Sequence, residues 1–219
     1  MAISKLNYNS LNVTPSANAA IGFDSGADDL ETGAAGGSMN FIKKLTASSS
    51  STLSFVHGSS NVVLDSTYKE YMFIFKNIHP ATNVAHFTFN GSIDAGSNYN
   101  VTKTSTYWWA YHEEAAGAQL LEKRDDFDLA QSTAFQPILP EIGSENDECA
   151  SGSLQLFNPS GTVGVKHYIS RGNVYQGSNY SIDNYCGGYF NTTSDVDAIQ
   201  FKMSSGNIDA GTITLYGIS

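Results

Sequence analysis

Charge is scarce in this chain. Only 15% of its 219 residues are Asp, Glu, Lys or Arg, and 21 acidic residues outnumber 11 basic ones, giving a formal charge of -10. A surface so poor in cations has no basic stripe for phosphates and repels anionic lipid, which excludes nucleic acid and membranes as charge-driven partners. Cysteine is nearly absent. Cys149 and Cys186 stand in the separate contexts ECASG and NYCGGY. Without a CxxC pair no zinc site is expected, and free thiols are the default in a reducing compartment. No apolar run reaches the roughly 18 to 20 residues of a membrane helix. The opening AISKLNYNSLNVTPSANAAI lacks a signal-peptide core, so a chain kept soluble in a cytosol is expected. Catalytic motifs are missing as well: there is no nucleophile elbow, phosphate loop or HExxH helix, and His112 is followed by two glutamates with no second histidine four residues on. No enzyme activity, cofactor or metal is expected.

What the chain does have is aromatic residues and glycine: 12 Tyr, 12 Phe and 20 Gly. Strand formers and turn formers in that proportion point to sheets. The tail Ala198 to Ile218, AIQFKMSSGNIDAGTITLYGI, alternates Ile199, Phe201 and Met203 with polar residues, then Ile213 and Leu215 with Thr and Tyr. It reads as a hairpin with one dry face, turning on Gly206 and Gly211 at positive φ. KEYMFIFKNIHP, Lys69 to Pro80, is apolar on both sides and reads as a central strand stopped by Pro80. Short runs at Phe41 to Leu45 and Thr52 to His57 suggest another hairpin, and further strands are expected near Val84, Tyr99, Gly152, Val163 and Tyr185. EEAAGAQLLEK, Glu113 to Lys123, is the one helix candidate. AFQPILPEI, carrying Pro137 and Pro140, reads as a sheet edge or a crossing loop.

With no internal repeat to suggest a propeller or trefoil, the strands imply an all-β fold: an antiparallel jelly-roll-like β-sandwich of about ten strands. It should occupy residues 38-219 behind an extended N-terminal arm, residues 1-37, rich in Ser, Asn, Ala and Gly. Five Asn-X-Ser/Thr triplets, from Asn12, Asn90, Asn100, Asn179 and Asn191, read as by-products of Asn- and Thr-rich turns.

Two aromatic stretches are the candidate contact surfaces. In TSTYWWAYHEE, Tyr107, Trp109 and Tyr111 share one strand face and Trp108 lies on the other; one face must be core. In VYQGSNYSIDNYCGGYF, Tyr175, Tyr180, Tyr185 and Tyr189 stand among Gly, Asn and Ser, a mixture of rigid amphipathic rings and adaptable polar groups that suits receptor or subunit contact. Asp24, Asp28, Asp29 and Glu31 could offer oxygens to an ion, but their spacing is not that of a calcium loop. Asp125, Asp126 and Asp128 read as a solvated turn, and the scattered His57, His79, His86, His112 and His167 as ordinary face or core histidines.

The opening AISKLNYNSLNVTPSANAAIGFDSGADDLE, the strand KEYMFIFKNIHP and the closing AIQFKMSSGNIDAGTITLYGI resemble a group of tailed-bacteriophage virion proteins, common among marine phages, of the tail-fibre-like or capsid-decoration kind. The resemblance implies a non-enzymatic β-sandwich on the surface of a virion assembled in the host cytoplasm. It implies a homo-oligomer, a trimer by expectation, whose partners are other virion proteins of tail or capsid and a host-cell surface glycan or protein. Tail-tip attachment, capsid decoration and, as a minor alternative, polysaccharide binding or depolymerisation are its three possible roles. A fibre shaft is not expected, because the chain has neither heptads nor a short repeated β motif.

Overall fold

The computed structural model describes residues 21-23, 30-32 and 38-219. The chain forms two compact units, Met1–Asn40 and Phe41–Ser219. In the first, β1 (Ile21–Phe23) pairs antiparallel with β2 (Leu30–Thr32), with Glu31 opposite Gly22. The rest of the expected arm, including Asp24, Asp28 and Asp29, lies outside the described residues.

The second unit is built of strands, and among the described residues there is no helix. In chain order they are β3 (Met39–Thr46), β4 (Leu53–Val56), β5 (Glu70–Pro80), β6 (Ala85–Ser92), β7 (Lys103–Glu113), β8 (Gln119–Lys123), β9 (Gln136–Ile142), β10 (Ala150–Phe157), β11 (Lys166–Gln176), β12 (Tyr180–Phe190), β13 (Ala198–Met203) and β14 (Ile208–Ile218). They lie in two layers: β3-β14-β5-β10-β11-β12-β7-β8 and β4-β13-β6-β9. A single pair, Gln176 opposite Ile142, joins the layers at a corner, so the sandwich is nearly a closed barrel. The fold is therefore the expected antiparallel sandwich, with twelve strands rather than about ten.

Three pairings are nested: β5 with β14, β6 with β13 and β7 with β12. This wrapping is what gives the sandwich its jelly-roll character. It also explains why the C-terminal strands do not form the expected hairpin. β13 and β14 alternate as anticipated, but β13 enters the four-strand layer between β4 and β6 and β14 the other layer between β3 and β5. The connecting turn crosses the sandwich on Gly206 (φ 69), and Asn207 donates to the carbonyl of Ser49 at 2.9 Å rather than to its own backbone. Gly211, at φ 115, marks a bulge where an added Cβ would lie 2.6 Å from the carbonyl oxygen of Asn77, so only glycine fits. β3 and β4 are likewise split between the layers.

The core is aromatic where the layers meet. Tyr71, Phe73 and Phe75 point inward from β5, a central strand as expected, although Met72 and Ile74 on its other face stay half-buried. Phe201 on β13 lies parallel to Phe87 at 5.5 Å and meets Phe73 and Phe75 edge-on at 5.3 Å each, while Phe55 meets Phe73 at 5.3 Å. Rings from both layers thus interlock. Each buried ring contributes roughly 1.5–3 kcal/mol by leaving water, and each pair about 0.5–1.5 kcal/mol more.

The helix expected over Glu113 to Lys123 is instead the hairpin of β7 and β8, turning through Ala116 at φ 55. Pairing along β7 outweighs the helix preference of Ala, Leu and Glu, which is worth only a few tenths of a kcal/mol per residue. The proline-bearing segment is β9, the edge strand at the corner, as expected of Pro137 and Pro140. The strand expected from Val163 starts later, at Lys166, because Val163 projects into solvent. Asn90 is fully buried, its amide donating to the carbonyls of Tyr99 and Thr133, so that triplet is structural. Cys149 and Cys186 are both free; burial pushes the Cys186 thiol far above its ordinary range.

Candidate functional site

The eight aromatic candidates divide among four environments. β7 and β12 are paired along their whole length, so their alternation sends successive side chains to opposite faces of one layer. Tyr107 points inward and is fully buried against Phe127 at 5.1 Å; it is a core side chain, not a contact. Tyr175 sits at the β11–β12 turn, its hydroxyl bonded to Asn179 at 3.2 Å.

Trp108, Tyr185 and Tyr189 face outward. Register places Arg171, Tyr185, Trp108 and Lys123 side by side across β11, β12, β7 and β8. The Trp108 and Tyr185 rings stack 4.0 Å apart and 8° from parallel. The Arg171 guanidinium lies 4.9 Å from the Tyr185 ring and is held by both oxygens of Asp183, at 2.9 and 3.3 Å. At the other end Asp125 and Asp128 hold the Lys123 amine. Ile169 (54% exposed) and Leu121 (67% exposed) extend the patch. Between Tyr185 and Tyr189 lies Gly187, above which an added Cβ would meet nothing within 4 Å, so the outer face is open there. A rigid row with stacked rings at its centre and charges at its ends can cover an apolar partner.

Trp109, Tyr111 and Tyr180 form the fourth environment, at the mouth between β7, β12 and β9. Trp109 and Tyr111 are two apart on β7, and Tyr180 lies beside them because Ile182 pairs with Tyr111. Trp109 and Tyr111 stand at 90° with centroids 6.2 Å apart; Tyr111 and Tyr180 stand at 88° and 5.4 Å. With Glu141, Gln176 and Ile182 they line a pocket of about 120 Å³. The Trp109 indole N–H donates to Glu122 at 2.9 Å, and the Arg124 guanidinium lies 3.8 Å from the indole centroid. Arg124 is forked onto Asp126 at 2.6 and 2.9 Å and approaches Glu141 at 3.8 Å, which holds the Asp126 carboxyl below its usual range. The Gln176 amide donates to Glu141 at 3.1 Å.

Glu141 has a backbone φ of 51, in the left-handed region. Its N–H donates to His86 Nδ1 at 3.0 Å, and its carbonyl accepts from Gly177 at 3.4 Å. Burial lowers the His86 pKa, which keeps the ring neutral and able to accept. Elsewhere in this half of the sandwich, the Lys103 amine is buried, donating to the carbonyls of Val101 and Ala134 at 3.1 and 2.6 Å; burial lowers its pKa to about 7.

Sequence reasoning missed Glu141, Arg171, Arg124 and Gln176. Glu141 follows Pro140 inside an apolar run, a break in pattern that could have drawn notice; the other three carry no local signal. Among the described residues no group of His, Cys, Asp or Glu is arranged to hold a metal. No family model, curated protein or solved structure matches this chain.

Proposed function

We propose that this chain is a non-enzymatic structural module of a tailed-phage virion, exposed on the particle and acting as an oligomeric tail-fibre or tail-tip element in host attachment. The virion assignment is supported by the resemblance of its opening, its β5 strand and its closing strands to that group. The attachment role is carried by one observation: the Arg171–Tyr185–Trp108–Lys123 row, with stacked rings at the centre of an outward sheet face. Part-exposed rings on a surface bind whatever removes the rest of them from water, and a sheet layer holds them without loss of loop entropy.

The second reading is capsid decoration. It draws on the other end of the same layer, where edge strand β3 carries Phe41, 63% exposed and 6.1 Å from Tyr216. An apolar edge is a surface that a shell or a neighbouring subunit would cover.

Immunogold labelling of phage particles with antibody raised against recombinant protein tests both readings. Label at the tail tip, with labelled wild-type protein adsorbing to host cells and a Trp108→Ala, Tyr185→Ala double variant failing to, supports attachment. Label on heads with adsorption unaffected favours decoration, and release of reducing sugar from host polysaccharide favours the depolymerase alternative. Particles without label defeat the virion assignment. Light scattering on purified protein reads the expected trimer directly.

A further inference from the structure

The corner formed by Trp109, Tyr111 and Tyr180 has a chemistry distinct from the outer row. Three rings at near right angles present faces and edges to one small volume. An aromatic face carries the negative lobe of the ring quadrupole, so several rings around one point attract a cation, and most readily one that is weakly hydrated.

We propose that this corner, closed by the Glu141 carboxylate, is a binding site for a methylated ammonium group of the choline type. Size is the first support. The pocket of about 120 Å³ is well below the roughly 300 Å³ of sites that engulf a whole drug-sized ligand. It takes one head group.

Charge is the second. Glu141 is the one charged group in the lining, and beside it Glu122 and Asp126 set two further carboxylates against the guanidinium of Arg124, so the balance is net negative. Arg124 shows in addition that the Trp109 indole accepts a cation, and Arg124 is not among the groups lining the pocket, which leaves the lining surface of the indole to another.

Committed donors are the third. The indole N–H is bonded to Glu122 and the Gln176 amide to Glu141, so the two nitrogen donors beside the pocket already have acceptors. A methylated ammonium needs no hydrogen-bond donor from the site.

The backbone is the fourth. A glutamate at φ 51 is strained, and it persists because His86 and Gly177 bond both of its peptide groups. Glycine would satisfy that backbone at lower cost. Only the carboxylate is gained by keeping a glutamate there.

The test follows the Trp109 indole N–H resonance of the full-length protein, assigned by comparison with Trp108→Phe, during titrations at constant ionic strength. Tetramethylammonium and choline are expected to saturate with Kd on the order of millimolar. The neutral isostere 3,3-dimethylbutan-1-ol is expected to bind about tenfold more weakly. Glu141→Gln should weaken choline several-fold, and Tyr180→Leu should remove the saturable shift. Phosphocholine and Nε-trimethyl-lysine identify the source of the head group, and the net negative surroundings rank phosphocholine below choline. Equal binding of the neutral isostere, phosphocholine binding above choline, glucose moving the resonance in place of choline, or no saturable shift overturns the proposal. If Tyr180→Leu fails to fold, the wild-type series and Glu141→Gln still decide.

Discussion

The two halves of this sandwich are built on opposite terms. Between β5 and β13 the layers are joined by apolar side chains centred on phenylalanine: Phe55, Phe73, Phe75, Phe87 and Phe201 interlock with no charged group among them. Around β7, β9 and β12 the interior also carries Lys103, Gln136 and Asn184, and its mouth holds Arg124 and Glu141. The apolar half needs only matching shapes, and its contribution to stability does not depend on pH. The polar half must satisfy each buried donor and acceptor, and wherever it does so only in part it becomes sensitive to pH and open to ligands. Stability is concentrated in one half and adjustable chemistry in the other.

The sharpest way to break that contrast is Phe201→Ala. Removing the ring that touches both layers should cost about 3–5 kcal/mol, read as a lower urea midpoint, with the same loss at every pH. A small, pH-dependent loss would show that the phenylalanine cluster is not what joins the layers.

Lys103 tests the other half. Its pKa falls from 10.5 unfolded to about 7 folded, so between those values the unfolded chain binds the extra proton and stability rises with pH. The slope should approach about 1.4 kcal/mol per pH unit. Below pH 7 both states are protonated and the full penalty of a buried ammonium is present. Other groups titrate in the same window, so the measure is the difference between wild type and Lys103→Met in urea melts at pH 7 and pH 9. Identical slopes would refute a buried, displaced lysine.

A smaller effect is expected from Trp108→Ala. Losing the stack on Tyr185 should cost about 1 kcal/mol, far less than Phe201. Equal stability losses at Trp108 and Phe201 would erase the distinction between the outer face and the core. Smallest of all is Arg171→Met. Its ion pair with Asp183 is exposed, so thermal melts should not resolve a change, and high salt should leave wild type and variant alike.

How much of this could be read from residues alone follows from what alternation encodes. Ile199, Phe201, Met203, Ile213 and Leu215 announced their inward faces correctly, because period-two burial is local. Their partners could not be read, since alternation is silent on whether the next strand returns beside its predecessor or crosses to the other layer. The segment from Glu113 to Lys123 misled because Ala, Leu and Glu favour helix and the ladder with β7 lies outside any short window. Among the site residues, the aromatic candidates were legible by type and Trp108 by face. Glu141 and Arg171 were not, because strand register brings Arg171 to Tyr185 and the meeting of two layers brings Glu141 to the rings of β7 and β12.

The nesting of β5 with β14 has a consequence for how the protein is made. Residue 70 must wait for residue 218, which at translation rates of roughly 5–20 residues per second is on the order of ten seconds. Throughout that time β5, with Tyr71, Phe73 and Phe75 along one face, has no β14 beside it and is a template for another nascent chain. Ribosomes making many copies at once therefore place sticky, half-built molecules side by side. Abundant production should depend on chaperone holding, and slower initiation or lower temperature should raise the yield of folded protein more than any surface substitution would.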